Sequence, residues 1–119
     1  MADIPGFPFP GGHPLGNSLV TCGITDDQGQ WAISLEGYDS LQAFAEMLPD
    51  DVDALSKNMS TKSRANTGKY YLPTRQKINI KAMVWWLRDL HARGQPLPEQ
   101  GFTPLDLEKA RHDMQLGEQ

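Results

Sequence analysis

Hydrophobic residues recur at helical spacing between Pro73 and Gly94, the longest segment without an internal Gly or Pro. On a helical wheel of about 100° per residue they fall on one side; they are Ile80, Met83, Val84, Leu87 and Leu90. Pro73 suits a first helical turn, and Gly94 suits a C-terminal cap. The pattern predicts one long helix over about residues 73–93, against which the other helices pack.

Two short helices are predicted in the first third of the chain. A helical turn over about residues 14–22 ends at Gly23. The capping-box pattern Thr25-Asp26-Asp27-Gln28 then opens a second helix, with the Thr side chain as its cap. That helix ends at Gly37, and its predicted buried residues are Trp31, Ala32 and Leu35.

Two more helices are predicted on either side of Pro49. Asp39 is the predicted cap of the first, whose hydrophobic positions at i, i+3, i+4 and i+7 are Leu41, Phe44, Ala45 and Leu48. Acidic residues favour the positive end of the second; they are Asp50, Asp51 and Asp53. Its predicted inner face is Val52, Leu55 and Met59.

Two segments lie before and after these helices. Residues 1–16 are a Pro- and Gly-rich arm, with Phe7 and Phe9 as its predicted anchors on its own domain or on a neighbouring chain. Residues 60–72 are a polar, basic connection in which Tyr70 and Tyr71 re-enter the fold.

A final helix is predicted at the C-terminal end, from Thr103-Pro104 to about residue 116, after a Pro- and Gly-rich linker. No strand hairpin is apparent, so the predicted fold class is all-α: a small bundle packed on one long helix. The predicted organisation is an arm (1–16), a helical domain (17–94) and a linker with a C-terminal helix (95–119).

Composition limits the class of protein. With 119 residues the chain has room for one domain. The single Cys22 forms no intrachain disulfide, and a reducing compartment suits it. No signal peptide and no run of about 18 apolar residues is present. We therefore expect a soluble intracellular protein with no membrane partner.

Charge is segregated along the chain, although the net charge is only −4. Residues 1–53 contain nine acidic residues and no Lys or Arg, whereas residues 54–93 contain nine basic residues and Asp89 as their single acid. Opposite charge in the two segments indicates two surfaces of opposite sign.

Candidate catalytic chemistry is weak. His13, His91 and His112 are far apart in sequence, and Cys22 has no neighbouring base. The three Asp residues after Pro49 lack the Gly and terminal Glu of a calcium loop, and no phosphate-binding or Gly-x-Ser-x-Gly motif occurs. We predict no catalytic residue, no cofactor and no metal.

The order of the helices resembles the sterile alpha motif (SAM) domain family over about residues 17–93. The middle helices of that family are similar to EGYDSLQAFAEMLPDDVDAL, and its final helix is similar to LPTRQKINIKAMVWWL. The family-like positions in the first stretch are Gly37-Tyr38, Leu41, Leu48, Asp51, Val52 and Leu55. Residues 56–72 are longer and more polar than the family's connection, and neither tail has a counterpart in it.

This resemblance implies head-to-tail association, in which an acidic surface of one copy contacts the basic start of the last helix of the next. The implied acidic residues are Glu36, Asp39, Glu46, Asp50, Asp51 and Asp53. The implied basic residues are Lys69, Arg75, Lys77 and Lys81. The expected function is then a non-enzymatic interaction domain that binds itself or another helical domain.

A second function stays open at this point: a nucleic-acid-binding or capsid-like structural protein that uses the basic region 57–81. The segment WWLRDLHARG is also similar to helices in gag-like regions of retroelement polyproteins. The basic residues between 57 and 81, with Tyr70 and Tyr71, suit a phosphate backbone and stacked bases. The predicted nucleic-acid contacts are Lys62, Arg64, Lys69, Arg75 and Lys77. The acidic net charge opposes this alternative.

Overall fold

The structure, a computed structural model, describes residues 8–9, 12–61 and 69–117. This part of the chain forms six helices and no strand, so the predicted all-α fold class is confirmed. The helices are α1 (Pro14–Thr21), α2 (Asp27–Leu35), α3 (Leu41–Ala45), α4 (Pro49–Thr61), α5 (Thr74–Ala92) and α6 (Pro104–Gly117).

The long helix α5 begins and ends within one residue of its predicted bounds. Helices α3, α4 and α6 contact it. Its buried hydrophobic residues are Ile80, Ala82, Met83, Val84 and Leu87. Leu90, in the last turn, is only half-buried. Within the described residues, no helix combines the length and the hydrophobicity needed to span a bilayer.

Two predicted helix caps are wrong by one residue. The carboxylate of Asp26, not Thr25, caps α2 by accepting the backbone N–H of Gly29 at 3.1 Å. The hydroxyl of Ser40, not the carboxylate of Asp39, caps α3. Neighbouring residues in each pair are both good caps, so local chemistry does not choose between them.

The buried faces of α2 and α3 differ from the predicted ones as well. In α2 the buried residues are Gly29, Gln30, Ala32 and Ile33. Trp31 is half-buried and Leu35 is exposed. The short helix α3 ends at Ala45, so Leu48 lies beyond it and is 52% exposed, while Met47 is buried in its place.

Helix α4 follows its prediction. Val52, Leu55 and Met59 are buried. Its first turn carries Asp50 and Asp51, and the Asp51 carboxylate accepts the backbone N–H of Leu48 at 2.8 Å. The carboxylate therefore satisfies a donor at the start of the helix, which stabilises a terminus of positive partial charge.

Residues 100–102, just before α6, dock on helix α1. The Ser18 hydroxyl donates to the carbonyl oxygen of Pro14 at 2.7 Å and accepts the backbone N–H of Phe102 at 2.8 Å. Two more α1 side chains donate to this segment: Thr21 to the carbonyl of Phe102 at 2.6 Å, and Asn17 to the carbonyl of Gln100 at 3.1 Å. Helix α1 thereby fixes the start of the C-terminal region.

The docked segment inserts Phe102 into the core. Its ring is 1% exposed and lies 5.0 Å from that of Trp86 on α5. Helix α6 starts directly afterwards, with Thr103 and Asp106 exchanging side chain-to-backbone hydrogen bonds, and buries Ala110. The C-terminal helix thus shares the core with α5.

The N-terminal arm is anchored by one of its two predicted aromatic residues. Phe9 is buried against its own chain, 5.0 Å from the His13 ring. His13 precedes α1, and its Nδ1 accepts the backbone N–H of Leu15 at 3.1 Å. Phe7 lies outside the described residues.

Replacement of Gly101 by Ala tests the docked segment. Gly101 has φ of 89°, and a Cβ there would collide with the carbonyl oxygen of Pro14. The control is Gly94→Ala, which has φ of 71° and open space around it. Strain alone costs about 1–2 kcal/mol, and the collision adds roughly 1–3 kcal/mol at Gly101. Urea unfolding measures both; equal losses would contradict the docking.

Candidate interaction site

Seven residues from the ends of α2, α3 and α4 surround an open depression of about 400 Å³. We call it the acidic depression; it is lined by Glu36, Gly37, Tyr38, Ala43, Glu46, Met47 and Asp51. Three of the six residues predicted for an acidic surface therefore meet here. Their convergence places three carboxylates around one concave surface.

The ends of the helices position these carboxylates. Glu36 is the C-cap of α2, and Glu46 is the C-cap of α3. Glu46 is exposed and accepts a hydrogen bond from the Gln42 amide at 3.0 Å. Asp51 belongs to the first turn of α4, where its carboxylate is already used by the N–H of Leu48.

Hydrophobic side chains lie between the carboxylates. The Tyr38 ring packs 5.4 Å from the ring of buried Phe44, and Met47 is 3% exposed. Both contribute to the lining of the acidic depression. The depression is therefore lined by three carboxylates and by the half-buried Tyr38, and a protein interface needs apolar contact of this kind beside its charges.

The other predicted acidic residues do not line this depression. Asp39 and Asp50 are exposed elsewhere on the surface. Asp53 forms an ion pair with Lys81 on α5 at 3.0 Å. Both side chains are partly solvated, so the pair contributes little to stability, of order 0.2–1 kcal/mol. It nevertheless joins a predicted acidic and a predicted basic residue within one chain.

Three predicted basic residues lie just before α5 or in its first turn, and we call them the basic surface: Lys69, Arg75 and Lys77. Lys69 and Arg75 are exposed, and Lys77 is half-buried. None of the three forms an ion pair within the described part of the chain. Lys62 and Arg64 lie outside the described residues. The charges of the basic surface are therefore available to a partner.

The position of these cations is unfavourable for the helix. The first turn of α5 contains no acidic residue, and Pro73 before it offers no side-chain hydrogen bond. Cations at the positive end of a helix oppose the macrodipole by about 0.3–1 kcal/mol each. Local preference is commonly violated where function requires it, so Arg75 and Lys77 are candidates for a functional role.

Only one of the two tyrosines before α5 returns to the fold as predicted. The Tyr70 hydroxyl donates to the carboxylate of Asp26 at 2.9 Å, and its backbone N–H donates to Met59. A Cβ at Gly29 would lie 2.7 Å from that hydroxyl, so a glycine is needed there. Tyr71 is 70% exposed, which corrects its expected place in the fold.

The described residues offer no metal centre, since no three His, Cys, Asp or Glu side chains are grouped to hold an ion. Cys22 is fully buried, and burial raises the pKa of its thiol. A protonated, enclosed thiol is a poor nucleophile.

Sequence reasoning found the charged residues of the site better than its apolar ones. Met47 was missed, because periodicity assigned the buried position to Leu48. Tyr38 entered only as a family-like position. The signal that was present is a Gly-aromatic pair after α2, where Gly37 has φ of 98°.

No protein-family model, curated protein or solved structure matches the chain. The resemblance to the SAM family consequently rests on the residues quoted above.

Alkaline unfolding tests the contact between Tyr70 and Asp26. Burial, the hydrogen bond to Asp26 and the charge of Asp26 raise the pKa of Tyr70 from 10.0 to about 12. Because the folded pKa is the higher one, this stabilisation is complete below pH 10 and is lost as pH rises towards 12. The free energy of unfolding should fall more steeply over this range in wild type than in Tyr70→Phe.

The matched control is Tyr71→Phe, which removes a solvent-exposed hydroxyl. Its free energy of unfolding should follow the wild-type pH dependence in urea titrations. Parallel curves for wild type and Tyr70→Phe would show that Tyr70 makes no such contact.

Proposed function

We propose that this chain is a non-enzymatic interaction domain that associates head to tail, the acidic depression of one copy binding the basic surface of the next. The observation that carries the proposal is the placement of Arg75 and Lys77 at the positive end of α5, without an ion-pair partner in the described residues. These cations do not stabilise the helix, and a surface of opposite charge lies on the same chain.

The two surfaces carry opposite charges. The rim of the acidic depression is anionic, at Glu36, Glu46 and Asp51. Electrostatic complementarity orients partners and speeds their encounter more than it supplies affinity. Affinity needs an apolar centre and about 800 Å² buried on each partner. The half-buried Tyr38 supplies part of that centre.

The geometry of the contact determines what assembles. Two different surfaces on each copy form a heterologous interface, which extends into a ring or a filament. Another helical domain that presents a basic helix start satisfies the same rule. A second copy is favoured because this chain carries both surfaces.

Nucleic acid is a second candidate partner for the basic surface. One observation favours it: Tyr71 is 70% exposed and lies in sequence between the exposed Lys69 and Arg75. An exposed aromatic ring beside cations suits stacking on a base. The net charge of −4 acts against it, and the self-association experiment includes it as an outcome.

Charge reversal tests the proposal with two variants. Lys77→Glu reverses one of the three charges of the basic surface and leaves the acidic depression intact; Glu46→Lys reverses one of the three charges of the depression and leaves the basic surface intact. Glu46 is the better choice in the depression because Asp51 also caps α4. We expect each variant alone to lose self-association in sedimentation velocity at about 50 mM salt, where screening is moderate.

An equimolar mixture of the two variants should regain association, since the intact depression of one meets the intact basic surface of the other. The smallest species regained is a dimer. The matched controls Lys109→Glu and Glu99→Lys reverse exposed charges that belong to neither surface and should sediment like wild type. Variants that behave like wild type, or a mixture that stays monomeric, would contradict the proposal.

Binding of a fluorescent single-stranded oligonucleotide to the same variants tests the second candidate. If Lys77→Glu loses oligonucleotide binding while its sedimentation is unchanged, the basic surface binds nucleic acid instead.

A further inference from the structure

The outer side of α5 carries a ridge on which hydrophobic and cationic side chains alternate. Ile78, Lys81, Trp85 and Arg88 are spaced at i, i+3, i+7 and i+10, so they share one face of the helix. Ile78 is 39% exposed, and Trp85 is partly exposed. We call these four residues the α5 ridge.

The core does not account for Trp85. Its neighbour Trp86 packs against the core and against Phe102, whereas Trp85 is not among the residues that pack there. Trp85 keeps part of its large ring exposed, and Trp is enriched among the residues that dominate binding energy. The exposed part of Trp85 is therefore a candidate for a contact outside its own core.

The charges of the ridge match the acidic depression. Lys81 is already paired with Asp53, but Arg88 forms no ion pair within the described residues. Arg88 lies one turn from Trp85, and Lys77 lies one residue before Ile78. An apolar pair with cations near it along the helix is thus partly exposed on this face.

The acidic depression has the complementary arrangement. Tyr38 and three carboxylates line it, together with the almost fully buried Met47. Its volume of about 400 Å³ is sufficient for an aromatic side chain. A Tyr ring makes favourable contacts with an indole ring.

We propose that Trp85, assisted by Ile78, is the apolar anchor of the self-association, seated in the acidic depression of a second copy with Arg88 against its rim. The inference rests on the proposed function and adds to it the residues that supply affinity. The occupant is a second copy because the charges of the ridge and the depression are complementary and both belong to this chain.

Lys77→Glu and Glu46→Lys each keep one of the two surfaces, and we call their equimolar mixture the half-blocked pair. This pair allows a test in which effects of a substitution on folding can be separated from effects on binding. In the mixed dimer, the Glu46→Lys copy contributes its ridge, and the Lys77→Glu copy contributes its acidic depression. Trp85→Ala in the Glu46→Lys copy should weaken the dimer by about 30-fold or more, the loss typical of a central Trp. The same substitution in the Lys77→Glu copy, whose ridge is not used, should leave the dissociation constant unchanged.

A matched control is Leu105→Ala, which truncates another exposed hydrophobic residue, 78% exposed on α6. It should leave the dimer unchanged in either copy. Sedimentation or fluorescence titration of the pair gives the dissociation constants.

Each outcome distinguishes the inference from the proposed function. If Trp85→Ala has no effect in either copy, Trp85 is not the anchor, although charge-directed association stands. Equal weakening in both copies would also overturn the inference, because the ridge would not act through the depression. If the half-blocked pair never associates, the proposed function fails and this inference fails with it.

A final arm addresses a different use of the ridge. If Trp85→Ala instead abolishes binding of a single-stranded oligonucleotide and leaves the half-blocked pair intact, the ridge contacts nucleic acid, and the inference is overturned.

Discussion

The docking of residues 100–102 on α1 is the contact on which the rest of the structure depends. One hydroxyl, that of Ser18, bonds both the carbonyl of Pro14 and the N–H of Phe102. This places the Phe102 ring against Trp86 and starts α6 beside α5. Because the core and the C-terminal region use Phe102 and Trp86, the opposite ridge of α5 and the corner of α2, α3 and α4 remain open to partners.

Helix bounds followed from sequence where periodicity agreed with end signals, as in α5 and α6. They failed where two adjacent residues both cap well. Asp26 prevails over Thr25 in a structure where its carboxylate also accepts the Tyr70 hydroxyl, a contact between residues 44 positions apart. The buried face of α2 is a separate failure: Ile33 is buried where Leu35 was expected to be, because packing against the other helices decides which hydrophobic residues of a short helix enter the core.

The candidate site was partly visible in the sequence, because charge segregation can be counted along a chain. Which of these carboxylates lie close together in the fold cannot be read from the sequence. Glu36, Glu46 and Asp51 line one depression because the parts of α2, α3 and α4 that carry them lie together. Asp53 instead forms an ion pair with Lys81. The Ser18–Phe102 hydrogen bond joins residues 84 positions apart and leaves no local signature in the sequence. Hydrophobic periodicity therefore could not predict that α1 holds the C-terminal region.

The most direct measurement of self-association is the molar mass of the wild-type chain by light scattering, across protein concentration and salt. Head-to-tail association predicts a molar mass above the 13.3 kDa of one chain at low salt, and this mass should rise with protein concentration. It predicts a fall towards the single-chain mass as salt screens the surface charges. A mass of 13.3 kDa at every concentration and salt would contradict it.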